Sequence, residues 1–179
     1  SNLVNKSNLD NHLMPNVPIE GVPKNLKETV FPFEYNNYEQ LEKIVKENDI
    51  GVIKMEVERN LKPKNNFLEK IRKLSKKKSI VLIFDECTSG FRKTFGGLHM
   101  HYNVKPDICI FGKALGNGYA INAIIGKRSV MEACKKSFIS STFWTERIGP
   151  TAALQTLKSM EKIKSWELIT EIGNTLTKN

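Results

Sequence analysis

Cysteine and histidine are both scarce in this sequence. Cys87, Cys109 and Cys134 are the three cysteines, an odd number with no CxxC pair. That count suits a reducing compartment and offers no framework for structural zinc. His12, His99 and His101 are the three histidines, and the HMH pair at 99–101 is by itself a poor metal site, so no metal is expected. No apolar run is long enough to span a membrane, and no signal peptide is visible at the start. These absences predict no membrane partner and a cytoplasmic location. The location follows only if residue 1 is the true start; it is Ser1 and not Met, so a fragment or a processed product is expected. Phosphate-binding motifs are also missing. A P-loop needs GxxxxGK[ST], whereas GKALGNG puts Lys113 ahead of the glycines and follows it with Ala114. GNGYA does not make GxGxxG either, so a Rossmann reading has little support.

The 179 residues suffice for a domain with a real core, and 40% apolar content is ordinary for a globular chain. The net charge is +9, much of it in Lys62, Lys64, Lys70, Arg72, Lys73, Lys76, Lys77 and Lys78. A solvated helix face with a lysine-rich end accounts for that cluster. Nucleic-acid binding would need interleaved aromatics or a known module, so none is expected.

Residues 1–36 are rich in Asn and Pro and read as extended loop. Leu41, Ile44 and Val45 then fall at helical spacing and predict a helix over about 37–48. GVIKMEV (51–57) reads as a short strand. Phe67, Leu68, Ile71 and Leu74 share one helical face, with Asn65 or Asn66 as the cap. SIVLIFDE (79–86) reads as a strand buried on both faces and ending in two carboxylates. PDICIFG (106–112) and AINAIIG (120–126) read as further strands. Short and longer helices are expected over 129–137 and 151–164, the second with Ala153, Leu154, Leu157 and Met160 facing inward. Alternating strands and helices predict an α/β sheet with helices on its faces. Ligands of such sheets bind beyond the carboxyl ends of the strands. Asp85, Glu86 and Lys113 all fall near such ends, on one rim.

Lys113 stands between glycines in FGKALGNGYA, after an apolar run. It is either a loop lysine pointing into water or a reactive amine at a pocket mouth. An amine can condense with an aldehyde, and pyridoxal phosphate is the usual partner. A carboxylate facing the pyridine nitrogen keeps it protonated and electron-withdrawing, and Asp85 ends an apolar strand where a rigid carboxylate could do this. The glycines beside Lys113 would let a bulky cofactor approach the backbone. Hydroxyls in SSTFWTE (140–146) could serve its phosphate.

LIFDECTSGFR (82–92), GG (96–97), PDICIFGKALGNGYAINAIIG (106–126) and STFWTERIGPTAAL (141–154) closely resemble the class III pyridoxal-phosphate-dependent aminotransferases, in register over about 50–154. Within that family the likeness is to glutamate-1-semialdehyde aminomutase and related aminotransferases. The resemblance implies the large domain of the fold type I pyridoxal-phosphate-dependent transferases, a mainly parallel sheet with helices on its faces. It implies pyridoxal 5'-phosphate as cofactor, an amino-acid or amino-aldehyde substrate and a homodimer. Lys113 matches the lysine that forms the Schiff base and moves the proton, and Asp85 the carboxylate on the pyridinium nitrogen. Cys87 stands where the family usually has a valine against the ring. Thr142 matches a threonine that binds the cofactor phosphate of the neighbouring subunit. Glu56 matches the glutamate of an EP dipeptide, with Val57 in place of the proline, and is read as a structural rim carboxylate. Arg92 is read as structural; Trp144 and Arg147 either touch substrate or pack an interface.

Family members exceed 400 residues, so the chain resembles the middle of a large domain. It is read as an extended segment (1–36), a partial cofactor-binding domain (37–164) and the start of a connection toward a further domain (165–179). The alternative to an enzyme acting through Lys113 and Asp85 is an inactive fragment, or half of a split enzyme that needs a complementing chain.

Overall fold

The computed structural model describes residues 23–26, 28–58 and 60–178. The loop expected over 1–36 lies largely outside the described residues. The chain divides into two compact units, Ser1–Ile50 and Gly51–Asn179.

In the first unit, a 3-10 turn at Lys24–Leu26 precedes helix α1, Tyr38–Glu47. Asn37 caps it: its side chain accepts the Gln40 N–H at 3.0 Å, and Gln40 reaches back to accept the Glu34 N–H at 2.7 Å. The Asn37 contact satisfies one donor that a helix start leaves open, and the Gln40 contact ties the preceding turn to the helix. Leu41 and Val45, four residues apart, are buried. Asn48 ends the helix in extended conformation, with its backbone N–H and side-chain amide both donating to the Ile44 carbonyl.

The second unit is built on a four-stranded sheet in the order β1 (Val52–Glu56), β2 (Val81–Asp85), β3 (Ile108–Phe111), β4 (Ala123–Gly126). The first three strands are parallel, while β4 runs antiparallel to β3. Helix α2, Phe67–Lys77, makes the crossover between β1 and β2. The β3–β4 connection has only a 3-10 turn at Lys113–Leu115. A parallel return usually needs a crossover helix, so this short link favours the antiparallel one.

Phe67, Leu68, Ile71 and Leu74 of α2 are buried as their spacing predicts, and α2 packs on β2. Asn66 holds the cap position but makes no side-chain cap bond. Its left-handed backbone (φ 56°) departs from the extended geometry that aims a cap side chain at the helix N–H groups. β2 is not buried equally on both faces: Leu82 and Phe84 are fully buried, whereas Val81, Ile83 and Asp85 are half-buried. The half-covered face is the one that carries Asp85 to the rim.

Beyond β4 come α3 (Arg128–Met131), a 3-10 stretch at Glu132–Lys136, α4 (Ile148–Ile163) and α5 (Ser165–Thr177). α4 begins earlier than its apolar periodicity suggests because the Glu146 carboxylate accepts the N–H groups of Ile148 and Gly149, an anion at the positive helix end. Ala153 is buried and Leu157 packs with it against Cys109, Phe111 and Leu115. Leu154 is exposed, contrary to expectation. One residue along a helix turns about 100° away from the buried face. Lys164, left-handed at φ 49°, separates α4 from α5. The Trp166 ring of α5 lies 5.3 Å from Phe95.

Asp107 ties the opposite end of the sheet together. Its buried carboxylate accepts from Arg72 of α2 (2.7 Å), the Leu82 N–H of β2 (2.9 Å) and Lys127 after β4 (2.7 Å). Among the described residues, no helix is long and apolar enough to cross a membrane.

Candidate functional site

Parallel pairing of β2 and β3 sets their carboxyl ends on one edge, with Asp85 opposite Ile110. Asp85 is the last residue of β2, and Lys113 follows β3 after Gly112. The expected rim is therefore formed. Lys113 adopts φ 44°, the left-handed region that side chains disfavour. Such strain persists only where neighbours hold it. Here the Lys113 carbonyl accepts the Asn117 N–H at 3.0 Å, and its amine donates to the Thr88 hydroxyl at 2.7 Å. The Lys113 side chain is exposed.

Asp85 is held at both oxygens. Lys54 of β1 donates to Oδ2 at 2.7 Å, and the Cys87 N–H donates to Oδ1 at 3.2 Å. Burial alone would raise the Asp85 carboxyl, but these two donors hold it below its ordinary value. Cys87 is pushed the other way. Burial and the Asp85 carboxylate raise its thiol, with Lys113 and Lys54 pulling against them. Carboxylate, thiol and both amines thus act on one another in a single cluster.

Gly112 and Gly116, on either side of Lys113, lie close against other parts of the chain. A side chain at Gly112 would meet Asn122 Oδ1 at 2.4 Å and Cys87 Sγ at 3.4 Å; one at Gly116 would meet the Tyr119 carbonyl at 2.3 Å. Protein atoms take that space, so the bare backbone allows the chain to fold back on itself there.

Glu86 does not join the rim. It turns inward and is fully buried. Oε2 accepts from the Ser89 hydroxyl (2.8 Å) and the Leu98 N–H (2.6 Å); Oε1 accepts from the backbone N–H of His99 (3.0 Å) and from its Nδ1 (2.7 Å). Burial works to raise this carboxyl, and the four donors hold it below its ordinary value. Cys109 Sγ lies 3.6 Å from His99 Nδ1, and burial together with Glu86 pushes its thiol up to about 12. Glu86, His99 and Cys109 place their donor atoms within 4.8 Å of one another. With both oxygens already accepting two hydrogen bonds, Glu86 makes this a hydrogen-bonded core that braces the turn after Asp85.

Arg92 donates from Nε to the Thr88 carbonyl at 2.9 Å and so supports the same turn. Glu56 ends β1 in register with Asp85. Thr142 and Trp144 are exposed, and among the described residues neither is hydrogen-bonded to Lys113 or Asp85. Arg147 lines a cleft of about 530 Å³ with Gly116, Asn117, Tyr119 and Thr151, beside the turn that carries Lys113. Lys54, Thr88 and His99 are the participants that sequence reasoning missed. Lys54 left a trace there as a charge in the middle of a strand, and His99 only as half of the HMH pair.

A family model described as class-III aminotransferase matches residues 60–179. The chain is 36% identical over 165 residues to a 3-aminobutyryl-CoA aminotransferase of Cloacimonas acidaminovorans, covering 86% of this chain and 39% of that protein. It is 41% identical over 140 residues to a glutamate-1-semialdehyde 2,1-aminomutase of Nitrosopumilus maritimus, covering 74% and 33%. It matches the structure of an ornithine aminotransferase from Plasmodium yoelii with a TM-score of 0.68 at 26% identity, over 74% of this chain and 37% of that one. With an omega-transaminase from Sphaerobacter thermophilus the TM-score is 0.73 over 79% and 35% of the chains, a likeness of fold alone at 22% identity. These neighbours bear out the expected fold class, part of the α/β large domain of fold type I transferases. The chain spans between a third and two fifths of the length of these curated relatives.

Proposed function

The chain belongs to the class-III aminotransferase family, and on that premise we propose that it carries the cofactor-bonding lysine of a pyridoxal-phosphate-dependent aminotransferase or aminomutase, Lys113. One observation carries the reading: Lys113 and Asp85 leave adjacent parallel strands at the same edge. An amine and a carboxylate whose donors favour its ionised form, on one rim, suit an aromatic aldehyde with a basic ring nitrogen. When bound, pyridoxal phosphate supplies an aldehyde carbon for an amine and a protonated ring that withdraws electrons from the substrate.

Lys113 is the amine that holds the cofactor and moves the proton at the substrate carbon. Thr88 fixes the amine's position. Asp85, ionised at neutral pH, keeps a proton on the ring nitrogen. Cys87 stays a neutral thiol because burial and Asp85 raise it, so it offers an apolar contact where a charge would be costly. Thr142 binds the phosphate in the site of a second subunit, an assignment that suits its exposure and makes the working form a homodimer. The substrate is an amino acid or amino aldehyde. Relatives of both reaction types, transfer between molecules and transfer within one, flank this reading. Three free thiols suit the reducing cytoplasm.

The test is chemical. The chain is mixed with pyridoxal phosphate, reduced with borohydride, digested and analysed by mass. The expected adduct is on Lys113 and is abolished by Lys113→Ala. Label spread over the lysines of 62–78, or no label, overturns the proposal.

A further inference from the structure

Asp85 already has a cationic partner in this fold. Lys54 donates to its Oδ2 at 2.7 Å, and Oδ1 is turned to the Cys87 N–H. Parallel register places Lys54 opposite Ile83. Residues two apart on a strand share a face, so Lys54 and Asp85 are diagonal neighbours on the half-covered face of the sheet. The flanking residues of β1, Ile53 and Met55, are buried on the other face. Strand formation at position 54 needs no charge, and an aliphatic residue would satisfy it better. The ammonium is thus set where it neutralises the one carboxylate that the proposed function reserves for a ring nitrogen.

We propose that Lys54 determines how tightly the site takes its cofactor, by competing with the protonated ring nitrogen for the Asp85 carboxylate. This rests on the reading of Lys113 and Asp85 given above. Lys54 and a protonated ring nitrogen drawn to the same carboxylate repel each other, so loading works against the Lys54 contact and favours exchange of one cation for the other. The Lys54 side chain is 55% exposed and can turn into solvent. A pair this exposed is worth little, so the exchange is accessible, and Lys54 tunes affinity without blocking the site.

Binding of pyridoxal phosphate to the full 179-residue chain is followed by absorbance, with Lys54→Met and Lys54→Arg in parallel. Salicylaldehyde, which has the aldehyde and phenol but no ring nitrogen, is the second probe. Lys54→Met is expected to tighten pyridoxal phosphate by roughly two- to fivefold and to leave salicylaldehyde unchanged. Lys54→Arg is expected to behave as the parent chain. The gain should vanish when Asp85→Asn is added. Loss of a cation that merely attracted the phosphate would weaken binding, the opposite sign. Unchanged or weaker binding of pyridoxal phosphate by Lys54→Met, or an equal gain for both probes, overturns the inference while leaving Lys113 as the anchor. Borohydride-trapped label away from Lys113 in every chain overturns the anchor, and this inference with it.

Discussion

The amine of Lys113 donates to the hydroxyl of Thr88 at 2.7 Å and so ties the turn leaving β3 to the turn leaving β2. Thr88→Val removes that acceptor. The fraction of borohydride-trapped cofactor found on Lys113 should fall several-fold relative to other lysines, and Thr88→Ser should restore it. Because the bond is exposed, the unfolding free energy should change by less than about 1 kcal/mol. An unchanged label distribution would mean that the hydroxyl does not direct the amine.

Glu86→Gln keeps the shape of a fully buried side chain but leaves four donors facing one remaining acceptor and an amide. Urea unfolding should show a loss of roughly 3 kcal/mol. Glu86→Ala should cost at least as much. A change within about 0.5 kcal/mol, typical of surface sites, would refute a bracing role.

Acid should weaken the fold through the same carboxylate. Hydrogen bonds hold Glu86 below its ordinary value of 4.5, so on acidification the unfolded chain takes up the proton first. The stabilisation is complete above that value and is lost as pH falls through the lower, folded-state value. Asp107 is also lowered and carries the same sign. Urea midpoints measured downward from neutral pH should stay level and then fall. Glu86→Gln should flatten part of the fall.

Asp107→Asn should destabilise by roughly 2–3 kcal/mol, because a buried carboxylate shared by Arg72, Lys127 and the Leu82 N–H loses its charge. Lys127→Ala should cost less than about 1 kcal/mol, since that side chain is half exposed. Thermal melts would compare the two. Asp107 lies at the sheet end opposite the rim, so labelling of Lys113 below the melting transition should not change.

Alkylation should separate the cysteines. Cys134 is exposed, Cys87 half-buried and Cys109 buried with its thiol pushed up to about 12. Iodoacetamide at neutral pH, read by mass, should modify Cys134 first and Cys109 only on unfolding. Early reaction at Cys109 would contradict its burial.

The position of the rim was legible from order alone. Apolar runs ending at Asp85 and just before Lys113, separated by a chain length that allows a parallel return, put both at strand carboxyl ends. The apolar face of α2 was equally legible, because a helix period of 3.6 residues is written directly in Phe67, Leu68, Ile71 and Leu74. The motifs from Asp85 to Ala153 also identified the family without any coordinates.

Partners were another matter, because they meet across long stretches of chain. The Lys54–Asp85 pair exists only once β1 and β2 adopt their register. Glu86 and Asp85 are neighbours with the same chemistry, yet the turn after β2 sends one to the rim and the other inward to His99. Leu154 and Leu157 look alike in an apolar helix, and only the packing of α4 against Cys109, Phe111 and Leu115 decides which is covered. Local periodicity therefore determined the elements and the place of Lys113 at a strand end. Strand register and helix docking, which depend on contacts distant in sequence, decided which charges hold one another.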